Sequence, residues 1–367
     1  MGVNAVSNGR NDVYIYAGVT RWGGGGSQAA QADTLGGVFR LKLGETSWTH
    51  SMAGFPDVVH VHCVVAHPEN PETLFAGTHE AVYRSQDRGQ TWKQMNMNSA
   101  PRQIWAIAFD PSDSRHMFAG ASPIGVYESK NGGSTWNEVP SGAIPDHIAM
   151  GNFKNRVMRI AVNPADPKKV VAAMEVNGCM ASEDGGATWV DRNADLLRLA
   201  QEPNLKSQIL TTSDNEGMLD AHAIGVAQDG SGTVFLANRM GIFESKDNCR
   251  TWRDLEVKRF SNFTYGRDIR PSLCEPGVLY AALSVSSRGE TGSIARSPDM
   301  GKTWARFDHG VTPTATVMSV APHPTLPEIV FFCSRHGEVY GTADAGKSWQ
   351  SYPLPPGCNG AYAVTCA

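Results

Sequence analysis

Short apolar runs punctuated by Pro, Gly, Asn and Asp fill this chain, and they come in a fixed order. The first kind closes on a proline turn: VHCVVAHPENP (61–71), IWAIAFDPSD (104–113), MRIAVNPADP (158–167) and MSVAPHPTLP (318–327). The second kind is TLFAGT, HMFAGA, VVAAME, TVFLAN, VLYAAL and IVFFCS; the third is AVYRS, GVYES, GIFES and SIARS. An Asp-Gly turn follows, and a Trp opens a fourth run. β-Rich runs of this length bounded by turn residues predict strands. The Asp-Gly-Trp segment recurs as SQDRGQTW (85–92), SKNGGSTW (129–136), SEDGGATW (182–189), SKDNCRTW (245–252), SPDMGKTW (297–304) and TADAGKSW (342–349), with a worn copy ending at Trp48. The tryptophans are spaced by 44, 44, 53, 63, 52 and 45 residues. Four strands in a repeat near 45 residues describe a propeller blade.

The prediction is a single all-β domain over residues 1–367, a seven-bladed β-propeller of four-stranded antiparallel blades. DVYIYAGV and GGVFRLKL read as the second and third strands of a first blade that lacks its inner strand. AYAVTCA (361–367) is an apolar run with no blade after it, so it is expected to supply that strand and close the ring. Within each turn, Asp87, Asp184, Asp247, Asp299 and Asp344 are expected to accept backbone N–H bonds while Gly supplies a positive φ. Asn131 replaces the Asp in one copy and Cys249 the Gly in another. The pattern S-x-D-x-G-x-[TS]-W resembles the Asp-box, or bacterial neuraminidase repeat, of sialidases, xyloglucanases, sortilin-type receptors and photosystem assembly factors. That resemblance implies the propeller and not an activity, which must be argued from the site.

Composition narrows the partners. The formal charge is −4 with 19% charged residues and no Lys/Arg run, which argues against nucleic acid. No stretch of 18 apolar residues predicts a membrane span. The N-terminus shows no signal-peptide pattern, and the seven cysteines include no C-x-x-C pair, so free thiols and the cytoplasm are expected.

The repeat also works as a map. In a propeller the inner strands line the channel; their entries and the second-to-third strand loops open on one face, and the Asp turns lie on the other. Aligned on the turns, His62, Trp105, Met158, His222, Arg267, Met318 and Tyr362 share one inner-strand position. Two places earlier stand His60, Gln103, Arg156, Asp220, Tyr265 and Thr316. The loops add Trp22, His79, Glu80, Glu175, Arg239, Arg288, Arg335 and His336. His67 and His323, in proline turns at the other end, read as structural.

Two chemistries fit this set. Neutral imidazoles of His62, His79 and His222, with His336 or a carboxylate completing the shell, would hold one divalent cation, of an identity the residues leave open among Zn, Mn, Ca and Mg. In the other, His62, His222, Tyr265 and Asp220 carry acid–base chemistry while Arg156, Arg239, Arg267, Arg288 and Arg335, with Trp105, Tyr362 and Trp22, bind the substrate. Clustered arginines point to a small anionic, carboxylate-bearing or acidic-sugar substrate and to a lyase or hydrolase. The alternatives are a non-catalytic binding or assembly propeller and a sialidase-like glycosidase. The sialidase family has a Phe-Arg-Ile-Pro motif; the nearest stretch here, VFRLKL (38–43), lacks the Pro. Residues 190–222 form a long insertion on the mouth face, with Asn193 as a helix N-cap and Pro203 as its stop. The glycine-rich stretch 21–37 is expected to be a mobile loop on the same face.

Overall fold

The computed structural model describes residues 12–21, 34–140, 154–206 and 213–367. Its strands form seven four-stranded antiparallel sheets, one per predicted blade. Ala361–Cys366 pairs with Tyr14–Val19 and becomes the inner strand of blade 1, the ring closure expected from the sequence. The inner strands of blades 2 to 7 are Val61–Ala66, Gln103–Asp110, Arg156–Val162, Ala221–Val226, Tyr265–Pro271 and Val317–Pro322. All seven cysteines are unpaired. No helix among the described residues is long and apolar enough to cross a membrane.

The repeated turn welds each blade to the one before it. In blade 4, Asp184 accepts from the Thr188 amide at 2.9 Å and the Thr188 hydroxyl at 2.6 Å. Thr188 and Ser182 together pull the Asp184 carboxyl down to about 2. Asn131 keeps the geometry without the charge, accepting from the Thr135 amide at 3.0 Å and donating to its hydroxyl at 2.8 Å. The turn glycine is required twice over, by φ of +75° at Gly133 and by the preceding blade, because a Cβ there would stand 2.4 Å from Phe75. Cys249 occupies this slot with φ 67°. It is tolerated because the preceding blade offers Val171 at the place of Phe75, and both pack in one cluster.

Every inner strand carries a β-bulge. The register shifts around His62, Trp105, Met158, His222, Arg267 and Met318 in blades 2 to 7, and around Tyr362 in blade 1. Regular strand residues alternate between the two faces of a blade and therefore point at neighbouring blades. A bulged residue escapes that alternation and is re-aimed. The seven bulged positions are the seven that the turn alignment had grouped.

The proline turns at the far end settle His67 and His323. His323 Nδ1 accepts from the Thr325 and Leu326 amides at 3.2 and 3.1 Å. His67 does the same for Glu69 and Asn70, and Asn163 for Ala165. Burial lowers the His323 pKa from 6.5 to about 4. An unfolded chain therefore binds a proton that the folded chain refuses, and stability is lost as pH falls from about 6.5 toward 4. His323→Asn keeps an acceptor and removes the titration. Urea denaturation should then show a shallower loss of stability between pH 7 and pH 4.5 than in the unchanged protein; an equal loss would refute this reading.

Candidate functional site at the channel mouth

The bulged side chains meet across the channel. His62 stacks on Trp105 with centroids 3.9 Å apart and rings 10° from parallel. The Arg156 guanidinium lies 4.2 Å over the same indole. Two groups this close need opposite faces, so Trp105 is sandwiched and offers a ligand only its edge. That edge meets Tyr362 at 5.8 Å, bridging blade 3 to blade 1. Arg267 and Arg335 each lie 5.9 Å from the Tyr362 ring. His62 is buried, and among the described residues neither ring nitrogen has a hydrogen-bond partner. Burial, then the charge of Arg156, holds its pKa well below the usual value, so it stays neutral.

His222 lies in a hydrogen-bonded relay. Its Nδ1 is 2.7 Å from the Gly266 carbonyl, an acceptor, so Nδ1 carries the proton. Nε2 then accepts from the Tyr265 hydroxyl at 3.0 Å. The Asp220 carboxylate stands 3.3 Å from the same nitrogen. Burial alone would raise the Asp220 pKa, but His222 in its protonated form, together with Arg239, overrides it and holds the carboxyl well below its usual range. Arg239 forks onto Asp220 at 2.9 and 2.7 Å and reaches Glu216 at 3.1 Å. Burial pushes the Tyr265 phenol upward, so it remains protonated until it has somewhere to send the proton.

The insertion supplies Glu216. Its two helices are Ala194–Leu199 and Asp214–Leu219. Ser213 caps the second by accepting from the Glu216 amide at 3.2 Å. Two expectations here need correction. Asn193 sits at the N-cap position of the first helix, but its side chain makes no cap bond; it accepts from the Cys179 amide at 2.8 Å and donates to the Asn177 carbonyl at 2.9 Å. That helix ends at Leu199, ahead of Pro203. Glu216 was not among the sequence candidates, although the Ser213-x-x-Glu216 spacing is a helix-start signature.

The expected metal set is rearranged. Among the described residues, the one group of three or more His, Cys, Asp or Glu with ligand atoms within 4.8 Å of each other is Glu175, Asp220 and His222. His62, His79 and His336 are outside it. His79 instead accepts from the His60 amide at 3.3 Å, and His336 is exposed. Glu175 is 2.5 Å from Arg156 and Asp220 is forked by Arg239, so a cation there would have to displace two ion pairs. Arg288 is exposed at the rim, and Trp22 lies outside the described residues. The mouth therefore joins His62, Trp105, Arg156, Asp220, His222, Arg239, Tyr265, Arg267, Arg335 and Tyr362, with Glu175 and Glu216 balancing charge.

Comparison with known proteins agrees with this architecture. A family model described as sortilin, neurotensin receptor 3, matches residues 80–218. A xyloglucanase of Hypocrea jecorina is 26% identical over 329 residues, covering 74% of this chain and 36% of that protein. A Paenibacillus xyloglucanase is 25% identical over 321 residues, covering 74% and 29%. The chain thus spans about a third of the length of these curated relatives. Among solved structures, the GH74 enzyme of Niastella koreensis superposes with a TM-score of 0.59 at 18% identity, over 80% of this chain and 45% of its own. A Bacteroides fragilis protein superposes with a TM-score of 0.59 at 12% identity, over 98% of this chain and 99% of its own. At such identities the structures speak to the fold, and the fold is a seven-bladed β-propeller whose sequence is similar to part of the xyloglucanases.

Proposed function

We propose that this propeller is a glycoside-cleaving enzyme of the hydrolase type, acting at the channel mouth on an anionic saccharide. The observation that carries the reading is the Tyr265–His222–Asp220 relay, with its 3.0 Å Tyr265–His222 hydrogen bond. A proton acceptor, a donor and a compensating carboxylate within reach of one another are what general acid–base chemistry requires. His222 takes a proton from Tyr265 or from water, Asp220 offsets the imidazolium charge, and Arg239 keeps Asp220 in place. The likeness to two xyloglucanases over 74% of the chain supports a sugar substrate and a hydrolase over a lyase. Anionic selectivity is supported by the arginines gathered at this mouth in a protein whose formal charge is −4.

The test is incubation with xyloglucan and with a polyuronate, followed by analysis of reducing ends and products. New reducing ends on saturated sugar rings are expected. Unsaturated products would make the enzyme a lyase, and no cleavage of either polymer would leave a binding propeller and end this proposal.

A further inference from the structure

Among the described residues, the charges at the mouth do not cancel. Four guanidinium groups converge there: Arg156, Arg239, Arg267 and Arg335. Three carboxylates oppose them. Glu175 pairs with Arg156, and Asp220 and Glu216 share Arg239. Among the described residues one positive charge is left over, and the geometry says where. Among the described residues neither Arg267 nor Arg335 has an ion-pair partner. Arg335 donates only to neutral acceptors, the Ser287 carbonyl and the Tyr362 hydroxyl. Arg267 is 8% exposed, and its guanidinium has no hydrogen-bond partner among the described residues.

Burial opposes the Arg267 charge, but Tyr265, Glu175, Tyr362 and Asp220 around it outweigh burial and keep the guanidinium charged, so a cation with no ion pair of its own among the described residues stands at the channel. The bulge at Arg267 aims the side chain at the channel and away from the blade interior. The second unpartnered polar side chain of the ring, His62, is neutral and adds no charge. A ligand that completes this mouth must therefore bring one negative charge and accept from a planar fork. A carboxylate does both. A phosphate monoester also accepts from the fork but brings about 1.5–2 negative charges, and a sulfate ester is separated from a carboxylate by the probes below.

We propose that Arg267, flanked by Tyr362 and Arg335, forms a subsite for a single carboxylate of the substrate, making the sugar a uronate-type acid. This rests on the saccharide reading above and refines it. Glucuronate, glucose, glucose 6-phosphate and glucose 6-sulfate are the probes, titrated calorimetrically into the full chain. Glucuronate should bind more tightly than the other three. Arg267→Ala should weaken glucuronate binding at least tenfold, and Arg267→Lys, which keeps the charge but loses the fork, should fall between. If Arg267→Ala fails to fold by circular dichroism, Arg335→Ala serves as the second variant and should also weaken glucuronate selectively. Equal binding of glucose or of either ester, or unchanged binding in the Arg267 and Arg335 variants, would overturn the subsite. The two proposals fail separately. Selective glucuronate binding without cleavage of any polymer removes the enzyme and keeps the subsite. Cleavage of neutral xyloglucan as fast as polyuronate removes the subsite and keeps the enzyme.

Discussion

Replacing Tyr265 with phenylalanine is expected to lower kcat by about 10²–10⁴ with little change in KM. The substitution removes one oxygen and leaves the ring, which packs 4.7 Å from His222 by centroids, in place. What disappears is the hydroxyl 3.0 Å from His222 Nε2, the only proton the relay can pass without admitting water. Loss of one hydrogen bond costs stability about 1 kcal/mol, so the folded variant remains available for kinetics. Steady-state rates of reducing-end release check this. A fall in kcat/KM carried wholly by KM would mean that Tyr265 binds substrate and does no chemistry.

The second large effect concerns Arg239. Its side chain is 13% exposed, and it satisfies Asp220 and Glu216, which are 6% and 5% exposed. Arg239→Met removes the cation that Asp220 and Glu216 share and leaves Asp220 with His222. Breaking a buried pair in this way costs about 3–5 kcal/mol. The pH dependence also changes sign. In the unchanged protein the lowered Asp220 pKa contributes stability above its ordinary value of 3.8, which is lost as pH falls through that range. In the variant at least one carboxyl titrates above its unfolded value, so acidification from neutral pH restores part of the stability. Thermal denaturation of both proteins at pH 7 and pH 5 measures this. A deficit in the variant that does not shrink at pH 5 would show that Arg239 does not hold the carboxylates. Arg239→Lys should recover part of the stability but less of the turnover, since it cannot fork onto Asp220.

The fold was legible because each blade repeats its own punctuation. Trp48, Trp92, Trp136, Trp189, Trp252, Trp304 and Trp349 count the blades, and the turns align the inner strands. The ring of His62, Trp105, His222, Arg267 and Tyr362 was legible for the same reason: one position per blade, and a bulge at each. Pairings across the ring were not. The Gly266 carbonyl that sets the His222 tautomer is backbone and leaves no signature in residue type. The Trp105 sandwich depends on how three neighbouring blades rotate their side chains, so an indole expected from the sequence to bind substrate is already covered on both faces. His79 and His336 were grouped with His222 by loop order, but loop order does not set reach: the carboxylates of Glu175 and Asp220 stand beside His222 instead. Glu216 escaped because its partner, Arg239, belongs to a different loop 23 residues away.

The central claim is that Tyr265 and His222 act as one proton relay in the cleavage of a glycosidic bond. A double-mutant cycle on reducing-end release from a polyuronate, with Tyr265→Phe, His222→Gln and the pair, tests it most directly. Groups that act as a unit lose almost everything on the first substitution. The account predicts that the double variant is no slower than the slower single variant. Losses that multiply, or a rate unchanged by either substitution, would contradict it.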